Sequence, residues 1–89
     1  MELILFTANV CPRCPAAKRV VDEVGRKYPE LEVRVLNIEE GANMQLALRY
    51  HVFSTPAIAI GEELVFMGDA PTAEQLLKEI EKRKGARGR

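Results

Sequence analysis

Cys11, Pro12, Arg13 and Cys14 form a Cys-x-x-Cys motif whose two cysteines are the only ones in the chain. The chemistry such a pair supports is reversible disulfide exchange. Side chains three apart on a helix lie about 5–6 Å apart at Cβ, and a disulfide requires about 3.5–4.5 Å, so a small adjustment closes or reopens the bond. An apolar run, Leu3 to Phe6, precedes the motif, and an amphipathic stretch begins near Ala16. A strand that ends before a motif opening a helix places the first sulfur at the positive helix end, where the dipole and free N–H groups stabilise a thiolate. The thiolate is the reactive form. Cys11 is therefore the expected nucleophile and Cys14 the resolving thiol, with the redox-active Cys11–Cys14 disulfide as the redox group and no bound cofactor or metal.

The residues between the sulfurs tune them. One positive charge on Arg13, about 6 Å away, favours the thiolate by roughly 0.7 kcal/mol in water and up to about 2.8 kcal/mol at an effective dielectric of 20. Stabilising the thiolate stabilises the reduced form and moves the potential modestly toward oxidising. Pro12 and Pro15 are tolerable only in the first helical turn, which puts the helix start at about Pro12 or Arg13, with strain expected at Cys14 from its following proline. A Cys-Pro-x-Cys is also a common half-site for zinc. A closed zinc site needs four ligands, and His51 is the only other soft donor, so a metal or iron–sulfur carrier would require a dimer contributing two motifs.

The elements that must position the motif follow from periodicity. Leu3–Phe6 is unbroken and apolar, as in a strand covered on both faces. Ala17, Val20, Val21, Val24 and Tyr28 recur at helical spacing until Pro29. Leu31, Val33 and Val35 alternate with Glu32 and Arg34, a strand with one polar face, far enough from the first strand for a parallel crossover. A second helix is expected around Ala42–Tyr50. Ala57–Ile60 and Glu63–Met67 are short strands split by Gly61-Glu62, a turn with glycine first that suits a type II′ hairpin. Thr72 and Gln75 form a capping box ahead of the stripe Ala73, Leu76, Leu77 and Ile80. The order is βαβαββα, a four-stranded mixed sheet with three helices in three α/β/α layers.

With that order, Cys-Pro-Arg-Cys after the first strand and Ser54-Thr55-Pro56 before the third, the chain resembles the thioredoxin and glutaredoxin family in its minimal form. Cys11-Pro12-Arg13-Cys14-Pro15 and the segment Tyr50 to Pro56 are similar to the corresponding parts of archaeal protein disulfide oxidoreductases. The resemblance implies an α/β thioredoxin fold over residues 1–84, followed by a flexible basic tail, 85–89. It implies a thiol-disulfide oxidoreductase that reduces protein disulfides. A bare X-Pro bond is expected to be trans, or simply a turn proline, whereas the resemblance implies a cis Thr55–Pro56 bond packed on the dithiol and Thr55 offering its backbone to an extended substrate. Val10, Phe53, Ala57 and Met67 are candidates for an apolar rim around the substrate, and Phe53 and Met67 equally for the core. Ser54, Gly68 and Asp69 match part of the glutathione-contact pattern. The chain has no Trp beside Cys11 and carries Leu5 where thioredoxins hold a buried acid, so proton transfer falls to water or Cys14. The implied reductant is a thioredoxin-reductase-like flavoprotein, or a low-molecular-weight thiol.

Composition sets the remaining bounds. At 89 residues the chain suits one small domain. Its 13 basic and 13 acidic residues cancel, which argues against a global field for nucleic acid or membrane. No apolar run approaches the roughly 20 residues of a membrane span, and Met1-Glu2 leads straight into the first strand, so a cytoplasmic monomer is expected. His51 is read as a helix-end histidine rather than a proton shuttle, and Lys82, Arg83, Lys84, Arg87 and Arg89 as a solvated helix end.

Overall fold

A computed structural model describes residues 1–87, with side chains as far as Lys84; the last two residues of the expected tail lie outside the described residues. Seven elements follow in the expected order: β1 Glu2–Thr7, α1 Cys14–Lys27, β2 Glu32–Asn37, α2 Asn43–Arg49, β3 Ala57–Ile60, β4 Glu63–Met67 and α3 Ala73–Arg87. They form one sheet in the order β2-β1-β3-β4. β1 pairs parallel with β2 from Glu2↔Glu32 to Thr7↔Asn37 and antiparallel with β3 from Leu3↔Ile60 to Phe6↔Ala57. β1 is thus central, and Leu3 to Phe6 are all buried, as their unbroken apolar character requires.

Alternation along β1 and β3 separates two cores. Leu3, Leu5, Ile58 and Ile60 face α1 and α3, where they meet Ala17, Val21, Val24, Leu76 and Ile80. Ile4, Phe6, Ala57 and Ala59 face the other way, toward Ala47 of α2 and Val52. The small side chains of β3 lie on the α2 side and the large ones on the side of the two long helices. Full burial of each of these Leu, Ile and Phe side chains stabilises the fold by about 1.5–3 kcal/mol.

The turn chemistry is as the residues dictate. The register Ile60↔Glu63 leaves Gly61-Glu62 as a two-residue loop, and Gly61 has φ 63° while Glu62 is not left-handed, the pattern of a type II′ turn. A bulge follows between Ile58 and Ala59, opposite Val65. At α3, the Gln75 N–H donates to Thr72 Oγ1 at 3.1 Å and the Thr72 N–H to Gln75 Oε1 at 3.0 Å, a complete capping box.

Three expectations change. Helix α1 begins at Cys14, not at Pro12 or Arg13. Arg13 has φ −95° and ψ −9° and the Cys14 N–H donates to Cys11 O at 3.2 Å, so the motif is a type I turn with proline at its favoured second position. Among the described residues the only non-glycine with a positive φ is His51, at 61°. β2 does not bury its apolar face: Val33 and Val35 remain 37% and 42% exposed, because β2 is an edge strand that α1 covers only in part, Val33 resting against Gly25. The cationic end of α3 is not uniformly solvated. Arg83 reaches Glu63 at 2.8 Å and Glu79 at 2.7 Å, and Lys84 pairs with Glu30 at 2.7 Å and lies 4.4 Å over the Tyr28 ring.

Candidate functional site

Three segments meet at one end of the sheet. β1 runs out at Thr7 beside the start of β3, since Phe6 pairs with Ala57, and β4 ends there too, since Ala57 pairs with Met67. The loop to Cys11, the Ser54–Pro56 segment and Gly68–Asp69 are therefore neighbours although they are distant in the chain.

Cys11 and Cys14 are joined by a disulfide, their Cα atoms 5.4 Å apart. Their environments differ. Cys11 is part-exposed on the turn, with Pro12 and Arg13 exposed beside it, while Cys14, first residue of α1, is only 7% exposed. The first turn of α1 contains no acidic residue and its N-cap makes no side-chain hydrogen bond, so no carboxylate of the helix's own first turn offsets its positive end. No polar or charged side chain is buried among the described residues, and Leu5 is fully enclosed in the core; the interior holds no acid to exchange protons with Cys14.

The loop before Cys11 is tied down by contacts that no motif announces. Glu39 accepts the Asn9 N–H at 2.6 Å, Asn37 Nδ2 donates to Asn9 Oδ1 at 2.7 Å, and Asn37 Oδ1 accepts the Glu39 N–H at 2.8 Å. The first two join the β1 end to the β2 end across 30 and 28 residues, where no local spacing signals them, and the third is a local turn within the β2 end.

The Thr55–Pro56 peptide is cis, and Pro56 is buried while Ser54 is exposed. The Pro56 carbonyl accepts the Gly68 N–H at 2.8 Å, extending the β3–β4 ladder by one pair. Among the described residues neither the N–H nor the C=O of Thr55 has a hydrogen-bond partner. Gly68 has φ 87°, and a Cβ there would stand 3.3 Å from Ser54 Oγ, so this glycine serves a close approach as well as a turn. Arg13 crosses to the same loop: its Nη1 donates to Gly68 O at 3.3 Å and its Nε lies 3.9 Å from Asp69 Oδ1. Arg13 is thus engaged across the site and does not act on the sulfurs as an isolated charge.

The four candidate rim residues divide by exposure. Val10 is 89% exposed, Phe53 75% and Met67 45%, which takes Phe53 and Met67 out of the core. Ala57 is fully buried and leaves the rim, because it faces Ala47 in the α2 core. Phe53 is held by its N–H, which donates to Met67 Sδ at 3.3 Å. His51 follows the C-cap of α2, its ring 6.5 Å from that of Phe53. Its N–H donates to Leu48 O and the Val52 N–H to Ala47 O, a Schellman close to α2 with His51 at the left-handed position. Among the described residues no group of three or more His, Cys, Asp or Glu side chains is placed to hold a metal ion, and no helix is long and apolar enough to cross a membrane.

Comparison with known proteins agrees with this geometry. A family model described as the thioredoxin domain matches residues 1–81. The chain belongs to the thioredoxin family. It is 44% identical over 84 residues to a thioredoxin of Methanocaldococcus jannaschii, covering 93% of this chain and 95% of that protein. Among solved structures, it superposes on thioredoxin-2 of the malaria parasite with a TM-score of 0.76 at 19% identity, covering 91% of this chain and 81% of the other. Thioredoxin O2 from Arabidopsis thaliana in its oxidized state gives 0.71 at 22% identity, with 91% and 72% covered. These two share the thioredoxin fold. Family membership and the Cys11–Cys14 pair make the chain a thioredoxin-like dithiol oxidoreductase.

Proposed function

We propose that this thioredoxin-family chain reduces disulfides of protein substrates, with Cys11 as nucleophile and Cys14 as resolving thiol. The observation that carries the reading is the unequal exposure of the two sulfurs: one is reachable at the turn, the other enclosed one residue into the helix. The Cys11 thiolate attacks one sulfur of the substrate disulfide, forming a mixed disulfide and releasing the first substrate thiolate. Cys14 then loses its proton to water or to that thiolate and attacks the Cys11 sulfur. The Cys11–Cys14 bond forms and the second substrate thiolate leaves, so two electrons and two protons pass to the substrate.

The surroundings fit this sequence. The unpartnered Thr55 backbone accepts an extended peptide as an added strand, and Val10, Phe53 and Met67 supply apolar contact on either side. Ser54 flanks that strand. A thioredoxin-reductase-like flavoprotein restores the dithiol, with a low-molecular-weight thiol as the other donor, and the protein acts as a cytoplasmic monomer. Its potential is expected between the thioredoxin and glutaredoxin levels, roughly −270 to −200 mV.

Substituting Cys14→Ser tests the assignment. The variant is expected to accumulate a mixed disulfide through Cys11 when given a disulfide-containing protein, seen by non-reducing electrophoresis and peptide mapping. Capture through the remaining thiol of Cys11→Ser with equal yield would overturn it. Titration with zinc separates the carrier alternative, which requires binding at half an equivalent per chain with dimerisation.

A further inference from the structure

The guanidinium of Arg13 is held away from a purely electrostatic role by the loop it crosses to. Its Nη1 donates to the Gly68 carbonyl, and the Gly68 N–H donates to the Pro56 carbonyl, so one chain of contacts runs from the Cys11–Cys14 turn to the cis-proline. Asp69 completes it. Its Oδ1 lies 3.9 Å from Arg13 Nε and accepts the Ala70 N–H at 3.0 Å, so its own turn fixes the carboxylate instead of leaving it free to follow the arginine. Both side chains are largely exposed, 67% and 83%, so the pair adds little to stability. Its effect lies in where it puts a positive charge relative to a nearby sulfur.

We infer that Asp69 is a positioning residue for the dithiol: it draws Arg13 toward Gly68 and offsets its charge, so that Cys11 is less acidic and the couple more reducing than the motif alone would make it. This rests on the proposed reading of Cys11 as the nucleophile. A thiolate favoured by a nearby cation stabilises the dithiol over the disulfide. Releasing Arg13 from Asp69 therefore shifts the equilibrium toward the dithiol.

The test is a double-mutant cycle of wild type, Asp69→Asn, Arg13→Ala and the double variant. Asn keeps the acceptor for the Ala70 N–H and removes the charge. Two quantities are read: the ionisation of Cys11, from the pH dependence of alkylation by iodoacetamide, and the equilibrium constant against dithiothreitol at about pH 8, where the thiolate is populated. In that exchange the protein disulfide takes two electrons and two protons from reduced dithiothreitol, yielding protein dithiol and cyclic oxidised dithiothreitol. Asp69→Asn is expected to raise both the ionisation constant and the reduction constant by about two- to fourfold. In the Arg13→Ala background the same change moves them by less than about 1.5-fold, and at ~1 M salt the wild-type difference shrinks. Asp69→Glu restores wild-type behaviour.

An Asp69→Asn protein with unchanged constants, or one whose change is equal with and without Arg13, overturns the role of Asp69. If Cys11 stays acidic in both cases, its assignment as nucleophile survives that failure. A wild-type Cys11 no more acidic than free cysteine would overturn the assignment, and the role of Asp69 with it.

Discussion

Gly68 joins the three parts of the site, and Gly68→Ala measures what that junction costs. The backbone there has φ 87°, a region that costs an L-residue about 1–2 kcal/mol. The new Cβ would stand 3.3 Å from Ser54 Oγ and 3.7 Å from Ser54 Cβ. The first distance forces Ser54 to give way, while the second is ordinary contact, so the steric part belongs to the hydroxyl. Alanine also reduces the entropy of the unfolded chain, returning about 0.4–1 kcal/mol. The net expectation is a loss of about 1–2 kcal/mol, a fall in Tm of roughly 5–15 °C for a domain of this size, measured by thermal and denaturant unfolding followed by circular dichroism. Adding Ser54→Ala removes the close oxygen and should recover the steric share but not the backbone share. Because Gly68 also anchors Pro56 and Arg13, protein-disulfide reduction should fall at temperatures where the variant is still fully folded. A Gly68→Ala protein as stable and as active as wild type would refute this account of the loop.

Two further expectations concern stability. His51 holds a left-handed backbone at the close of α2, so His51→Gly should stabilise the protein by about 0.5–1 kcal/mol, strain relief exceeding the added unfolded-state entropy; His51→Ala, which keeps the strain, should not, and equal denaturation midpoints for the two would contradict it. The Arg83 hydrogen bond holds the Glu79 carboxyl below the usual carboxylate range, against an opposing effect of burial. A depressed folded value means that this stability is present above the unfolded pKa and disappears as pH falls through the folded one. Arg83→Met should therefore cost about 1–2 kcal/mol at neutral pH and progressively less in acid, and a penalty independent of pH would show that the ion pair is not its source.

What could be read from the residues was whatever is encoded locally. Gly61-Glu62 delimits β3 and β4 to the residue, and Thr72 with Gln75 marks the start of α3, because turns and caps depend on neighbours a few positions apart. The unbroken apolar run Leu3–Phe6 marks a strand buried on both faces. The prolines do not fix the start of α1, because proline suits the second position of a type I turn as well as a first helical turn. The exposure of Val33 and Val35 depends on strand order, which alternation within β2 does not contain. In the site, the cysteine pair was legible and its ties were not. Arg13 with Asp69, Asn9 with Glu39 and Arg83 with Glu63 link segments that meet only once the sheet has formed. The left-handed His51 was hidden because the usual glycine is absent there.

The sheet carries unequal cover on its two sides: among the described residues ten buried side chains make up the core shared with α1 and α3, and six the core shared with α2. Cys14 begins a helix of the thick side, whereas the segment ending in Pro56 emerges from the thin one through Val52. Local opening draws on the least-packed layer first. On the proposed reading, opening of the thinner side would loosen a bound peptide before it reached the sulfurs, so release of a spent target need not unsettle the bond that has just closed.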